Sequence, residues 1–242
     1  MIDLRLGDWR TALADVGMVD AIITDPPYGA RTHGKQYTVE NHGSDNLKHR
    51  NGNHFRQPIG YDCFTAKDVA DLVAAWSPRT RGWFVAFTSH DLVDCYSAAL
   101  EAAGRYVFAP LPWLNECGPI RLAGDGPSSW TCWIVVGRPK TREAQRWGTL
   151  PGGYHSPNKG GGLGTGSNVA GILGCKPLGL MRAIVRDYSR PGDLVCDPCA
   201  GGATTLLAAA IEGRRSVGAE LDPDTYRKAK ARLASGYTPN MF

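Results

Sequence analysis

The apolar, β-branched run Val19-Asp20-Ala21-Ile22-Ile23-Thr24 stops dead at Asp25-Pro26-Pro27-Tyr28. A strand with apolar residues at successive positions is one buried on both faces, the habit of sheets covered by helices on both sides. Two successive prolines cannot continue such a strand, because neither has the N–H that the ladder needs. The chain must therefore leave the sheet at Asp25. It leaves stiff and extended, with free carbonyls beside a carboxylate and an aromatic ring. That set suits an exocyclic amino group on a flat ring: Asp25 and the Pro26 carbonyl accept its N–H groups, while Tyr28 stacks on its π face. The bland alternative is a strand-ending turn with Tyr28 in the core.

The same rhythm recurs along the chain, with short apolar runs alternating with helical patterns as in α/β domains. Strands are predicted at Ile2 to Leu6, Val19 to Thr24, Trp83 to Thr88, Tyr106 to Trp113, Trp130 to Val136, Leu194 to Cys196 and Ser216 to Leu221. Tyr106 to Trp113 and Trp130 to Val136 read as an antiparallel pair. Helices are predicted at Thr65 to Trp76, with Thr65 as N-cap, and at Asp91 to Ala103, stopped by Gly104. Further helices follow at Cys175 to Ser189, Thr204 to Glu212 and Pro223 to Leu233.

A second motif lies near the other end, at Asp193-Leu194-Val195-Cys196-Asp197-Pro198-Cys199-Ala200-Gly201-Gly202-Ala203-Thr204-Thr205. It reads as strand, glycine turn, helix. Glycines at the carboxyl end of a strand let the backbone approach a nucleotide closely. Glu220 ends the next strand, eighteen residues after Gly202, where a carboxylate can accept from ribose hydroxyls. Neither phosphate-cradling signature, G-x-G-x-x-G nor Gly-Lys-Ser/Thr, is present. An adenosine ligand without phosphates is the better fit. The pair Cys196 and Cys199 has no second C-x-x-C to complete a zinc site, so no metal is expected.

Composition narrows the class. The 242 residues, 43% hydrophobic and 21% charged, are enough for one domain with a sizeable core. No apolar run reaches the ~20 residues that span a bilayer, and Met1-Ile2-Asp3-Leu4-Arg5 carries charge where a signal peptide is apolar. Seven cysteines, an odd count, fit reduced thiols in a cytoplasmic protein better than a disulfide framework. The net charge of +4 permits an anionic partner without demanding one. Two stretches break the rhythm. Residues 31–62 hold four of the six histidines, and residues 148–174 hold ten of the thirty glycines. Arg31, Lys35, Lys48, Arg50 and Arg56 lie in the first; Arg138, Lys140, Arg142 and Arg146 lead into the second. Cations on long loops are the footprint of phosphate contacts, so both sets are candidates for nucleic-acid phosphates, with ordinary solvated loops as the alternative. The first loop is expected to be a mobile insertion, and residues 138–174 a small target-recognition region.

Taken in order, these motifs resemble those of the S-adenosylmethionine-dependent amino-group (N6-adenine/N4-cytosine) DNA methyltransferases, in the beta-class branch whose DPPY motif precedes the cofactor motif. The matching pieces are Ile2 to Asp8, Asp20 to Gly29, Lys176-Pro177-Leu178, Ser189 to Asp193, Asp197 to Thr205 and Gly218 to Asp222. The resemblance implies an α/β fold: a Rossmann-like methyltransferase domain over residues 1–242, with a circularly permuted, mixed seven-stranded sheet and helices on both faces. Its first strand would lie beside its last, bringing Asp8 to Glu220. Two departures stand out, Cys199 where the family usually has Phe and Ala203 where it usually has Gly.

The resemblance also implies roles. Asp25, Pro26, Pro27 and Tyr28 would be catalytic. Asp8 would face the cofactor's adenine, Lys176 and Pro177 its methionine end, Asp197 its amino group and Glu220 its ribose. Cys199, Ala200, Gly201, Thr204 and Leu221 would complete the cofactor site. Double-stranded DNA would be the partner, with a homodimer and a restriction endonuclease as further possibilities. Asp at the first motif position implies adenine N6 as acceptor. Cytosine N4, and a binding module of the same fold with impaired catalysis, stay open.

Overall fold

The computed structural model describes residues 1–33, 62–115, 130–155, 168–169 and 172–235. Strands β1 (Ile2–Leu6), β2 (Ala21–Thr24), β3 (Phe84–Thr88), β4 (Tyr106–Val107), β5 (Leu111–Leu114), β6 (Thr131–Arg138), β7 (Tyr154–His155), β10 (Leu194–Asp197) and β11 (Arg215–Glu220) form one nine-stranded sheet. Its order is β1-β11-β10-β2-β3-β6-β5-β7, with β4 also paired to β6. The pairs from β1 through β3 are parallel, whereas β6 runs antiparallel to β3. A separate hairpin joins β8 (Asn168–Val169) to β9 (Ile172–Leu173).

The predicted mixed sheet is present, with two corrections to its strand count. Tyr106 to Trp113 is not one strand. It divides into β4 and β5, both antiparallel to β6 but separated by residues 108–110, which include Pro110. Proline has no N–H to give the ladder, so the strand breaks there. The two-residue β7 then adds itself to β5. Helix bounds shift slightly: α3 (Ala66–Trp76), α4 (Val93–Ala102), α6 (Leu178–Tyr188), α7 (Thr204–Ile211) and α8 (Pro223–Ala234) stand where helices were predicted. Short helices α1 (Trp9–Ala12), α2 (Ala30–His33) and α5 (Arg142–Gln145) were not foreseen. Thr65 caps α3 in a full capping box, its hydroxyl accepting the Asp68 N–H at 3.3 Å while Asp68 accepts the Thr65 N–H at 2.9 Å.

Alternation along the central strands sends side chains to two cores. Ile22, Phe84 and Ala86 pack with Leu72, Trp76, Tyr96 and Leu100 of α3 and α4 on one face. Ala21, Ile23, Val85 and Phe87 pack with Met181, Ile184, Val185 and Ala208 of α6 and α7 on the other. Each fully buried side chain of this size contributes about 1.5–3 kcal/mol, so the continuous apolar runs are the main source of stability. One buried cation braces the first face. Arg105, only 4% exposed, donates to Ser77 Oγ and to the carbonyls of Ser77, Thr80 and Gly82 at 2.6–2.8 Å. Burial without a carboxylate pulls its guanidinium down to about 10.

Candidate active site

The sheet positions the two motifs by its winding. From β10 the chain steps through α7 to β11 in one direction, and from β2 through α3 to β3 in the other. β10 and β2 are therefore neighbours at the point where the order reverses, with a crevice at their carboxyl ends where α/β sheets bind ligands. Asp197 ends β10 and Asp25 follows β2 directly. Thr24 joins the two sides, donating its hydroxyl to Asp197 Oδ1 at 2.7 Å.

The acceptor side gathers residues from four strands. Tyr28 packs into the α6–α7 core, and its hydroxyl lies 2.9 Å from Cys132 Sγ of β6. Burial holds the Tyr28 phenol and the Cys132 thiol protonated, the latter up to about 11. Asp25 Oδ2 accepts from the Lys176 ammonium, while Asp25 Oδ1 is buried with no partner among the described residues. The ammonium also faces the rings of Tyr28, Phe87 and Trp113. The backbone beyond Tyr28 is pinned. Gly29 donates to Ser89 Oγ at 2.9 Å, and a Cβ on Gly29 would sit 2.3 Å from Asp91 Oδ2, so a side chain there would have to displace the Asp91 carboxylate. Tyr28 O accepts the Phe64 N–H at 3.1 Å, so both ends of the segment between them meet at this turn.

The cofactor side is a tight turn. Ala200 donates to Ala219 O, Ala203 donates to Ala200 O, and Arg232 of α8 clamps Gly202 O at 2.6 Å and Thr204 Oγ1 at 2.9 Å. A Cβ on Gly202 would fall 2.2 Å from Cys175 Sγ, which locks the residue before Lys176 against the turn. Ala203 takes the left-handed conformation, with φ 58° and ψ 30°. It does what a glycine would do there, at a strain of about 1 kcal/mol. Cys199 donates its N–H to Asp197 Oδ1 at 3.1 Å. Burial, and then the carboxylates of Asp197, Glu220 and Asp25, keep Cys199 a thiol. The surroundings of Cys199 are therefore negative, a field suited to a cationic ligand. Burial raises Asp197 itself to about 6, against the hydrogen bonds that favour its ionised form.

The predicted residues do not all meet here. Lys176 lies on the acceptor side, on Asp25, with Pro177 next to it as the N-cap of α6. Glu220 and Asp8 are neighbours as the strand pairing requires, since Gly7 donates to Glu220 O at 2.8 Å. Yet Asp8 is already engaged: it caps α1 by accepting the Arg10 N–H at 2.7 Å. Glu220 Oε1 likewise accepts the Asp222 N–H at 2.8 Å. Leu221 is 60% exposed. Cys196 packs in the α3–α4 core. Among the described residues no three His, Cys, Asp or Glu side chains gather as a metal site, and no helix is long and apolar enough to cross a membrane.

The cations fall into three groups. Arg31 is exposed in α2, three residues past Tyr28, its N–H donated to Asp91 at 3.3 Å. Lys35, Lys48, Arg50 and Arg56 lie outside the described residues. Arg138 sits where it was not expected. Trp133 pairs with Thr88 at the crevice end of β3, so Arg138, five residues on, is at the other end of the sheet, roughly 17 Å away by strand rise. Its guanidinium covers the Tyr106 ring at 4.8 Å; Lys140, Arg142 and Arg146 follow it in the chain, and Trp147, directly after Arg146, packs edge-on against Trp83 just before β3, at the end of the sheet away from Thr88. This grouping separates them from the Asp25–Tyr28 turn.

Phe87, Trp113, Cys132 and Thr24 are site residues that sequence reasoning missed. Phe87 and Cys132 were visible only as members of apolar strands, and nothing local marks one strand residue as facing a crevice.

Comparison with known proteins agrees with this geometry. Residues 131–231 match the family model for N6/N4 DNA methylases, described as DNA methylase. The DNA adenine methyltransferase YhdJ of Escherichia coli (strain K12) is 38% identical over 65 residues, 26% of this chain and 22% of YhdJ. The putative methylase YubD of the same organism is 35% identical over 60 residues, 25% of this chain and 26% of YubD. The matched stretch thus spans about a quarter of each curated relative. Among solved structures, the M1.HpyAVI–SAM complex superposes with a TM-score of 0.66 at 21% identity, covering 96% of this chain and all of that one. The cytosine-N4-specific PvuII DNA methyltransferase superposes with a TM-score of 0.66 at 14% identity, covering all of this chain and 88% of that one. The fold is the Rossmann-like one that these methyltransferase structures share, and residues 131–231 match the DNA methylase model within it.

Proposed function

We propose that the chain is a DNA methyltransferase that uses S-adenosylmethionine to methylate the exocyclic amine of a base flipped out of duplex DNA, with adenine N6 as the acceptor. The observation that carries this is Asp25: a carboxylate with one buried, unpartnered oxygen, beside Tyr28, across a single hydrogen bond from the carboxylate-lined turn. The DNA methylase match over residues 131–231 supports it, because that stretch spans Lys176 and the whole turn.

The residues fit such a cofactor. Asp197 would hold its ammonium, Glu220 its ribose hydroxyls, and the backbone of Cys199, Ala200 and Gly201 its adenosine edge, while Thr204 anchors the turn. When bound, S-adenosylmethionine supplies an electrophilic methyl group on a sulfonium. The chain does the rest. An exocyclic amine is a poor nucleophile because its lone pair is delocalised into the ring. Asp25 Oδ1 and the Pro26 carbonyl accept its N–H groups and draw it toward tetrahedral geometry. They also stabilise the positive charge that grows on nitrogen, a contribution typically worth ~10²–10³ in rate per group. Tyr28 stacks on the base, at ~1–3 kcal/mol, which offsets much of the cost of flipping it.

Incubation with methyl-labelled S-adenosylmethionine and unmethylated genomic DNA, followed by nucleoside analysis, tests the reading. N6-methyladenine is the expected product. N4-methylcytosine would instead favour the cytosine reading, which the equal superposition on PvuII keeps open. Absence of label in DNA would overturn both.

A further inference from the structure

Lys176 stands between the two halves of the site. Its backbone is held to the cofactor turn by the packing of Cys175 on Gly202. Its ammonium reaches the opposite way, onto Asp25 Oδ2, and lies 5.1 Å from the ring centroids of Tyr28 and Phe87 and 5.8 Å from that of Trp113. The side chain is only 10% exposed. A nitrogen bearing N–H groups on a carboxylate, walled by aromatic faces, is what the acceptor amine itself would be. A nitrogen of the chain thus stands beside the seat proposed for the substrate's amino group, on the second oxygen of the same carboxylate and over the ring meant to stack on the base.

The two occupants exclude each other. The lysine holds Asp25 Oδ2 and the amine would use Oδ1, but both need the face of Tyr28, over which the ammonium stands at 5.1 Å. A fixed ammonium there would also repel the positive charge that grows on the acceptor during transfer. A desolvated ammonium leaves one anion only for another, since an unpaired buried charge is costly. Of the groups the reaction brings into the crevice, the amino-acid carboxylate of the cofactor is an anion within reach of a side chain rooted on the cofactor turn.

We infer that Lys176 is an internal occupant of the acceptor pocket, and that it leaves Asp25 for the carboxylate of S-adenosylmethionine before a base enters. The inference rests on the methyltransferase reading. It makes binding ordered, methyl donor first and base second, so that the acceptor pocket stays closed until a donor is in place. It also gives Lys176 both the cofactor contact implied by its motif and the Asp25 contact seen here, in sequence.

Calorimetry on the full chain tests this with two ligands: S-adenosylmethionine, and 5′-deoxy-5′-methylthioadenosine, which lacks the amino-acid carboxylate. Asp25→Asn releases the lysine, so it should tighten S-adenosylmethionine by about fivefold or more and leave methylthioadenosine unchanged. In a Lys176→Met background the same substitution should change neither ligand. An S-adenosylmethionine affinity that Asp25→Asn leaves unchanged or weakens, or equal tightening of both ligands, overturns the inference while leaving the function intact. If wild type binds neither ligand, the methyltransferase reading falls and the inference with it. Should Lys176→Met fail to fold, the two-ligand comparison on Asp25→Asn decides alone.

Discussion

Thr24 donates its hydroxyl to Asp197 across the junction of β2 and β10, a 2.7 Å bond between the ends of the two strands that carry the motifs. Both groups are buried, Thr24 fully and Asp197 to 1% exposure. Placement of the acceptor motif relative to the cofactor turn is therefore set by central strands packed on both faces, not by the loops that carry the chemistry.

Asp197 should make the protein's behaviour depend on pH. Burial holds its carboxyl at about 6, above the ordinary value of about 3.9. A raised acid favours the folded state below its unfolded pKa, and that advantage is lost as pH rises through 6. Two units correspond to about 3 kcal/mol at most, so Asp197→Asn should melt higher than wild type at pH 8 and no higher at pH 4. The same variant should bind S-adenosylmethionine more weakly at pH 8, where wild type offers a full negative charge. Thermal melts at both pH values check the first claim; an equal difference at pH 4 and pH 8 would sink it.

Asp25→Asn should lower turnover by at least about 10²-fold, since the amide offers one acceptor oxygen and no charge to the amine. Cofactor binding should survive. Single-turnover methylation set against cofactor affinity separates the two, and turnover within tenfold of wild type would count against Asp25.

Glu220→Ala should weaken S-adenosylmethionine by roughly 1.5–3 kcal/mol, the scale of a charge-assisted hydrogen bond. Because Oε1 also accepts the Asp222 N–H, part of that loss would come from a loosened turn. Glu220→Gln keeps an oxygen for Asp222 and reports the ribose share. Calorimetry with unchanged affinity for both variants would remove Glu220 from the site.

Arg105→Ala should destabilise the fold by about 3–5 kcal/mol, because it leaves the carbonyls of Ser77, Thr80 and Gly82 without their shared donor. It lies away from the crevice, so activity per folded molecule should not change. Urea unfolding measures the first, and a midpoint shift worth less than 1 kcal/mol would show that water replaces the guanidinium.

Neutralising Arg142 and Arg146 should leave DNA affinity and its salt dependence as in wild type, because both follow Arg138 on the sheet edge away from Asp25. Arg31→Ala, three residues from Tyr28, should weaken binding and flatten the salt slope by about one unit. A flattened slope in the Arg142 and Arg146 variant would mean that DNA reaches the far edge as well.

Local sequence determined a great deal of this protein. The double proline could only end a strand, the β-branched runs could only be buried, and Thr65 with Asp68 could only start a helix. Those features act within a few residues, so the elements and the two motifs were legible without a structure. The pairing of β1 with β11 was foreseen too, through the resemblance to the amino-group methyltransferases. What the sequence left open depends on residues far apart in the chain. Lys176 and Asp25 are separated by 151 positions, and their ion pair needs α6, β2 and the cofactor turn in place at once. The cage around that lysine draws Tyr28, Phe87 and Trp113 from three separate stretches. Arg138 read as a loop cation near the DNA, and only the antiparallel direction of β6 sent it to the far edge. Strand direction and register are collective properties of the sheet. No residue encodes them alone, and they decide which side chains share a crevice.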